Sequence, residues 1–302
     1  MPKVSICVPC YQNKKEVERL LDSVKIQTFQ EYEVILTDDS KDEQIQNYIE
    51  ALRNSKADIA KKIRYYHNEK PLGHIFNWNK ALSYAKGEYI KIMFSDDWFT
   101  YPDSLEKLVW LLENNSNADL AFSASMQVSA TESYARKIEE GYIEKLKNDY
   151  RYLFISNQIG APSDTLYRSK IKVSFDEKSN WASDVFLYME ILKRNPYFAY
   201  VEEPLISIGI HDNQYTESFT ENDIRIFKDY EYMFQKYALK ESNQCRIYFL
   251  KQYLVKQKNG LEKALRNGYE KREYRLAKWE WYRNEVIPGY WNGLKRKIRG
   301  KK

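Results

Sequence analysis

Residues 4–39 read VSICVPCYQNKKEVERLLDSVKIQTFQEYEVILTDD, and the hydrophobic spacing changes twice within them. Val4 to Val8 is a short β-branched run closed by Pro9, the composition of a strand buried on both faces. Val17, Leu20, Leu21 and Val24 then recur at helical spacing, and Tyr32 to Leu36 forms a second strand that runs out on Asp38 and Asp39. The pattern repeats downstream. Ile45, Tyr48, Ile49 and Leu52 mark a helix, Ile63 to Tyr66 a strand, Ile75 to Ala85 a helix and Tyr89 to Phe94 a fourth strand. Alternation of this kind predicts an α/β fold with an open, mostly parallel, Rossmann-like sheet. Asp103 is placed to cap a helix through Leu105, Leu108, Val109 and Leu112, and Leu120 to Phe122 reads as a further strand.

From about 125 to 220 the pattern loosens, leaving a strand candidate at Leu205 to Ile210 and a helix at Val185 to Lys193. Beyond 221 long charged segments carry Ile226, Tyr230, Met233, Phe234 and Tyr237, then Ile247, Phe249, Leu250 and Leu254, which predicts amphipathic helices packed on the main domain. The expected organisation is one domain over 1–220 and a helical extension over 221–302.

Hydrophobic residues at 43% and charged residues at 30% describe a globular chain. No apolar run approaches the ~20 residues of a membrane span, and Met1-Pro2-Lys3 leads directly into a strand, so a cytoplasmic protein is expected. Basic residues are matched by nearly as many acids, leaving a net charge of +5 and no support for nucleic-acid binding. Part of that charge sits in Lys295, Arg296, Lys297, Arg299, Lys301 and Lys302, near Trp279, Trp281, Tyr282, Tyr290 and Trp291. The basic tail suits a solvated terminus and the tryptophans suit packing onto the domain; together they also suit peripheral contact with the inner face of a membrane. Cys7 and Cys10 have CxxC spacing, but Cys7 lies in a strand and no second pair exists, which argues against zinc or redox chemistry. With three histidines in all (His67, His74 and His211), a histidine-rich zinc site is excluded.

In open α/β sheets ligands bind beyond the carboxyl ends of the strands. Tyr11 follows the first strand, Asp38 and Asp39 the second, and Ser95-Asp96-Asp97 the fourth, so all should meet at one edge. Adjacent carboxylates that lose water need a cation or strong donors, and a hard divalent ion held by carboxylates and substrate phosphates meets that need. Taken singly, Asp96-Asp97 also fits a helix entry and Asp38-Asp39-Ser40 a turn.

Taken in order, Val4 to Asn13, Gln27-Thr28-Phe29, Tyr32 to Leu36, Asp38-Asp39-Ser40, Gly87-Glu88-Tyr89-Ile90 and Asp96-Asp97 resemble the family 2 glycosyltransferases. The resemblance is close over roughly the first 125 residues and looser to about 215. It implies a GT-A fold, an inverting transfer from a nucleotide-sugar (UDP-sugar favoured) and a divalent cation, Mn²⁺ or Mg²⁺. It also implies a glycan or lipid-linked glycan acceptor, in bacterial polysaccharide, O-antigen or capsule assembly. The donor would occupy the 1–125 half and the acceptor the 126–220 half. Pro9, Tyr11, Asp39, Asn79 and Asp96 would bind the nucleotide, while Asp97 and His211 would hold the metal. Pro162 and Ser163, in Gly160-Ala161-Pro162-Ser163, would lie on the acceptor side. Asp184, in Ala182-Ser183-Asp184, would be the catalytic base, with Ser183 where the family usually has Glu; a helix cap is its simpler reading. Gly209 stands where an arginine often precedes the family's histidine. A dinucleotide-dependent oxidoreductase is rejected because residues 9–13 hold no glycine. A nucleotidyltransferase would want a basic, glycine-rich loop there. The remaining alternative is a non-catalytic sugar-nucleotide binder or partner subunit of the same fold.

Overall fold

The structure is a computed structural model and describes residues 1–212, 214–220 and 223–288. The chain divides into two compact units, Met1–Glu221 and Asn222–Lys302. In the first, β1 (Val4–Cys10), α1 (Lys14–Lys25), β2 (Tyr32–Asp38), α2 (Gln44–Asn54), β3 (Ile63–His67), α3 (His74–Ser83) and β4 (Tyr89–Ile92) follow the alternation expected from the sequence. All seven residues of β1 are buried, because it lies between two parallel partners, β2 and β4. β3 extends the parallel set beyond β2. Val17, Leu20, Leu21 and Val24 of α1 close over this sheet in one core with Ile6, Val8 and Leu36.

Past β4 the sheet becomes mixed. β5 (Trp98–Phe99), α4 (Ser104–Glu113), β6 (Leu120–Val128), β7 (Ser133–Arg136), α5 (Tyr142–Asn148), β8 (Thr165–Arg168), α6 (Ser183–Arg194) and β9 (Phe198–Gly209) complete the unit. The order is β3-β2-β1-β4-β8-β6-β9-β5, with β7 paired to β6. β8 enters antiparallel between β4 and β6, and β5 runs antiparallel to β9. The fold is thus α/β, parallel over β3-β2-β1-β4 and mixed over the remainder. Leu166-Tyr167-Arg168 belong to β8, whose four residues are too few to carry a periodic signal. β9 begins at Phe198 rather than Leu205, because Pro204 marks a register shift against Ala124 and the residues before it are mostly half-exposed and end on Glu202 and Glu203. Asp103 stands at the start of α4 but makes no cap bond: its carboxylate turns to Lys107 at 2.9 Å.

Cys7 and Cys10 lie three apart on a strand and so face opposite sides of the sheet. Both are free and buried, with thiols pushed up by loss of water. The second unit holds α7 (Ile224–Lys236), α8 (Asn243–Gln252), α9 (Gly260–Arg266) and α10 (Lys271–Trp281), which runs into a π-helical turn at Tyr282–Val286. Stacked rings join its helices, Phe234 on Phe249 at 4.5 Å and Tyr230 on Tyr253 at 4.3 Å. Ile247, expected inside, is exposed, while Cys245 and Phe249 are buried. The basic tail from Lys295, with Tyr290 and Trp291, lies outside the described residues. Among the described residues no helix is long and apolar enough to cross a membrane.

Gly87 is a point where the fold leaves no room. The Ser5 hydroxyl accepts from Lys86 N at 3.0 Å and Gly87 N at 2.8 Å, drawing the turn before β4 against β1. A Cβ on Gly87 would stand 2.5 Å from Ser5 N and 2.8 Å from the Val4 carbonyl carbon. Gly87→Ala is therefore expected to destabilise the unit by roughly 1–3 kcal/mol, the usual cost of overpacking, measured by urea unfolding; an unchanged midpoint would mean the β1–β4 edge yields freely.

Candidate active site

The chain leaves β1 through Gln12 and Asn13, both left-handed with φ of 56° and 54°, a strained pair for non-glycine residues. Gln12 N is tied to Ser40 Oγ at 2.6 Å, and Asp39 N donates to the Cys10 carbonyl at 2.9 Å. The carboxyl ends of β1 and β2 are thereby locked side by side, with Pro9 buried and Tyr11 exposed just beyond. Asp39 is 4% exposed, and both its oxygens are engaged from within. Asn68 Nδ2 and Leu72 N reach Oδ1 at 2.8 and 2.7 Å, and Gly73 N reaches Oδ2 at 2.9 Å. This carboxylate clasps the 68–73 segment that enters α3 through Gly73 at φ 88°. Asp38 is held too, by Ser40 N and the Tyr65 hydroxyl. A cavity of ≈ 350 Å³ opens beside the clasp, lined by Ser40, Lys41, His67, Asn68, Glu69 and Pro71.

On α3 the inward amide is Asn77. Its Nδ2 donates to the Cys10 and Thr37 carbonyls at 3.3 and 3.0 Å, and its Oδ1 accepts from Asn68. Lys80 Nζ reaches Asn68 Oδ1 at 2.6 Å. Asn79, two residues along and so rotated by roughly 200°, instead exchanges two hydrogen bonds with the Phe175 backbone at 2.8 and 3.0 Å. Asn77, Asn68 and Lys80 were not picked out from the sequence. The available signal was the helical offset that sets Asn77 on the buried face with Ala81.

After β4 the chain turns, Asp97 N donating to the Phe94 carbonyl at 3.0 Å, and the adjacent carboxylates diverge. Asp97 is 2% exposed and takes Gly209 N at 3.3 Å, with the Ser163 hydroxyl also against it. Pro162 and Ser163 are buried in the turn before β8, where Ser163 Oγ also accepts from Phe94 N at 3.0 Å. Beneath them Lys91, wholly buried, donates to the Ser163 and Thr165 carbonyls. Desolvation pushes Asp97 well above the ordinary carboxylate range, helped by the charge on Asp96. Desolvation raises Asp164 to about 6, opposed by Arg136 and Lys91, and lowers Lys91 to about 7, opposed by Asp164 and Asp97.

Asp96 faces the other way. His211 Nε2 lies 3.4 Å from Asp96 Oδ2 and 3.3 Å from Glu16 Oε1, and this buried nitrogen is aligned for a hydrogen bond with neither. Arg19, on the same face of α1 as Glu16, donates to the Asp96 carbonyl at 2.6 Å and stacks on Trp98 at 3.8 Å. Gly209 makes this approach feasible: a Cβ there would stand 2.5 Å from the Asp96 carbonyl oxygen and 3.2 Å from an Arg19 nitrogen. The structure thus brings Asp96, Asp97, Ser163 and His211 together, and adds Glu16 and Arg19, which sequence spacing had assigned only to a helix.

Asp184 is in the first turn of α6, whose N-cap residue is Ala182. Its Oδ2 accepts from Asn157 Nδ2 at 2.7 Å. Asn157 Oδ1 in turn takes Ile159 N at 3.1 Å, and Tyr188, one turn along α6, donates to the Gly160 carbonyl at 3.0 Å. The 157–160 segment is thereby pinned to the helix that carries Asp184.

Carboxylate oxygens and an imidazole nitrogen are suitable donors for Mn²⁺ or Mg²⁺. The unpartnered His211 nitrogen beside Asp96 fits a cation better than it fits the carboxylates now facing it. Among the described residues, no group of three or more His, Cys, Asp or Glu side chains is gathered as a self-sufficient metal site. A cation here would complete its shell with substrate phosphate and water, as Mg²⁺ commonly does.

The sequence model described as glycosyl transferase family 2 matches residues 5–172. An uncharacterized glycosyltransferase of Methanocaldococcus jannaschii is 28% identical over 69% of this chain and 71% of its own length. A putative colanic acid biosynthesis glycosyl transferase of Escherichia coli is 28% identical over 72% of this chain and 76% of its own. Among solved structures, S. aureus TarS 1-349 in complex with UDP-GlcNAc superposes with a TM-score of 0.63 at 17% identity, covering 91% of this chain and 79% of that 1-349 chain. A mannosyltransferase from Pyrobaculum calidifontis, in complex with GDP-Man and Mn²⁺, gives 0.53 at 15% identity, over 93% and 69%. These structures share the GT-A fold.

The buried charges make a pH prediction. Lys91 falls to about 7 in the fold and returns to the ordinary 10.5 on unfolding. Below about pH 7 it is charged in both states and its burial cost is fully present; as pH rises toward 10.5 the unfolded chain binds more protons, so stability rises. The raised Asp164 has the opposite sign, its effect lying between its ordinary 3.8 and about 6, outside that window. Urea unfolding at about pH 7 and 9 should show the wild type gaining on Lys91→Met. Parallel slopes would mean that Lys91 does not titrate there.

Proposed function

The chain belongs to glycosyl transferase family 2, and from that premise we propose that it is an inverting transferase of nucleotide-sugars, UDP-sugars first among them. The acceptor is a hydroxyl of a glycan or lipid-linked glycan, in bacterial surface-polysaccharide assembly. The observation that carries this reading is the meeting of Asp96 and His211 at 3.4 Å over the buried Asp97, at the edge where β1, β2 and β4 end. The neighbours bound to UDP-GlcNAc and to GDP-Man with Mn²⁺ support a nucleotide-sugar and a divalent cation. The colanic acid relative supports a polysaccharide setting.

In this reading the base sits in the cavity beside Ser40 and Asn68, and the ring of Tyr11, exposed beyond β1, packs against it. Asp39 serves the nucleoside by holding the 68–73 wall in place, and Asn79 acts through the Phe175 segment. Asp96 and His211 would hold Mn²⁺ or Mg²⁺, which would supply charge neutralisation for a diphosphate leaving group, with the buried Asp97 braced behind them by Gly209 N and Ser163. Asp184 takes the proton of the acceptor hydroxyl while that oxygen bonds to the anomeric carbon. The bond from that carbon to the diphosphate oxygen breaks on the opposite face, and the nucleoside diphosphate leaves with the electron pair. Asn157 holds the Asp184 carboxylate in one orientation for this step. Pro162 and Ser163 contribute from below, by fixing the turn that supports Asp97.

Two measurements test the reading. Thermal melting with UDP-, GDP- and dTDP-sugars, each with and without Mn²⁺, should give a metal-dependent rise with one nucleotide class, lost in Asp96→Ala. No rise with any donor would sink it. Asp184→Asn should keep that donor-induced rise while turnover falls by ~10²–10⁴. Wild-type donor binding without transfer to any acceptor would favour the non-catalytic binder instead.

A further inference from the structure

α10 and the turn after it have two unlike sides. The acids are each neutralised by a basic residue of the same unit: Glu273 pairs with Arg246 at 3.0 Å, Glu280 with Lys251 at 2.6 Å, and Glu285 with Lys256 at 3.7 Å. Ala277 is buried on the inner side, where Lys278 reaches the Val255 carbonyl. The outer side carries Leu276, Trp279 and Tyr282, exposed by 57, 60 and 48%. At 100° per residue they share an arc of roughly 120° with Arg272, Arg275 and Arg283. Among the described residues neither Arg272 nor Arg275 has an acidic partner. One helix face thus combines exposed apolar and aromatic side chains with unpaired cations, and the acids lie outside that arc, each neutralised by a basic partner.

We propose that this face docks on an anionic lipid bilayer. Leu276 and Trp279 enter the headgroup boundary, Tyr282 lies at its level, and the arginines meet lipid phosphates. Charge complementarity selects a bilayer over a second copy of this chain, since two such faces would oppose arginine to arginine. The sequence beyond Pro288 adds six lysines and arginines and no acid, extending the same sign of charge. The proposal stands independently of the transfer reading, and would bring a lipid-linked acceptor to the enzyme by confining both to one surface.

Co-sedimentation of the full chain with vesicles of phosphatidylcholine, with and without phosphatidylglycerol, tests it. Binding is expected with the anionic vesicles alone, weakening as salt screens the arginines. The double variant Leu276→Asp, Trp279→Asp should bind at least ~10-fold more weakly, with an unchanged melting temperature because both positions are exposed. Arg272→Glu with Arg275→Glu should lose the preference for anionic lipid. Replacing the six basic residues after 294 by Gln in the full chain should weaken binding without abolishing it. The proposal is overturned if the full chain stays in solution with anionic vesicles. It is also overturned if the tail variant alone abolishes binding while the Leu276, Trp279 variant does not. Conversion of a dimer to a monomer by Trp279→Asp, with no vesicle binding, would identify a second copy as the occupant.

Discussion

A lysine with no access to water lies under the acidic turn, and the arrangement of the site follows from having to compensate its charge. Lys91 comes from the parallel half of the sheet, whereas the carbonyls it bonds belong to the turn before β8 and to β8 itself. Asp164, on that turn, is approached by Arg136 from β7 at 3.5 Å. In a medium of low polarity a lone ion is far more costly than a set that offsets itself. The pieces that contribute charge are therefore tied to one another: β4, the 162–164 turn, β7 and the loop bearing Asp97. Gly160 shows how tightly they close, since a Cβ there would stand 2.1 Å from Asp164 Oδ2 and 2.2 Å from an Arg136 nitrogen.

The parallel half was legible because its strands are short, largely apolar runs alternating with helix-spaced stretches, and β1, β2 and β4 lead into polar residues at the sheet's edge. Beyond β4 that pattern fades. β8 is short, β9 is interrupted by Pro204 at a register shift, and β7 is mostly exposed, so none shows a clean period. The acids at the strand ends could be located from sequence, but their bonds could not. Asp39 looked available to a ligand and is already satisfied by the segment it clasps. Asn79 read as an amide near the nucleotide; its bonds run to the Phe175 backbone, while Asn77 ties together the ends of β1 and β2. Glu16 and Arg19 were hidden because their role depends on a contact some 80 positions away in the chain, at Asp96, and further still at His211.

Family membership and local geometry answer different questions. The GT-A frame explains why a nucleotide-sugar site should lie at the carboxyl edge of the sheet, but many proteins share that frame. What belongs to this chain is the way the edge is braced: Arg19 seated on Trp98, Gly209 bare enough to admit it, and Asn157 orienting Asp184. Each brace acts on a neighbour rather than on any ligand. Changes there should alter how well the site is held before they alter what it holds.

The three cysteines have a practical meaning. Cys7 and Cys10 lie inside the sheet and Cys245 inside the helical unit, all free and all shut off from water. A thiol in that state reacts with an alkylating reagent only after the structure around it has opened. The protein therefore carries its own clocks, with one pair in the first unit and a single thiol in the second. The rate at which each is consumed under native conditions measures how often its own unit comes apart.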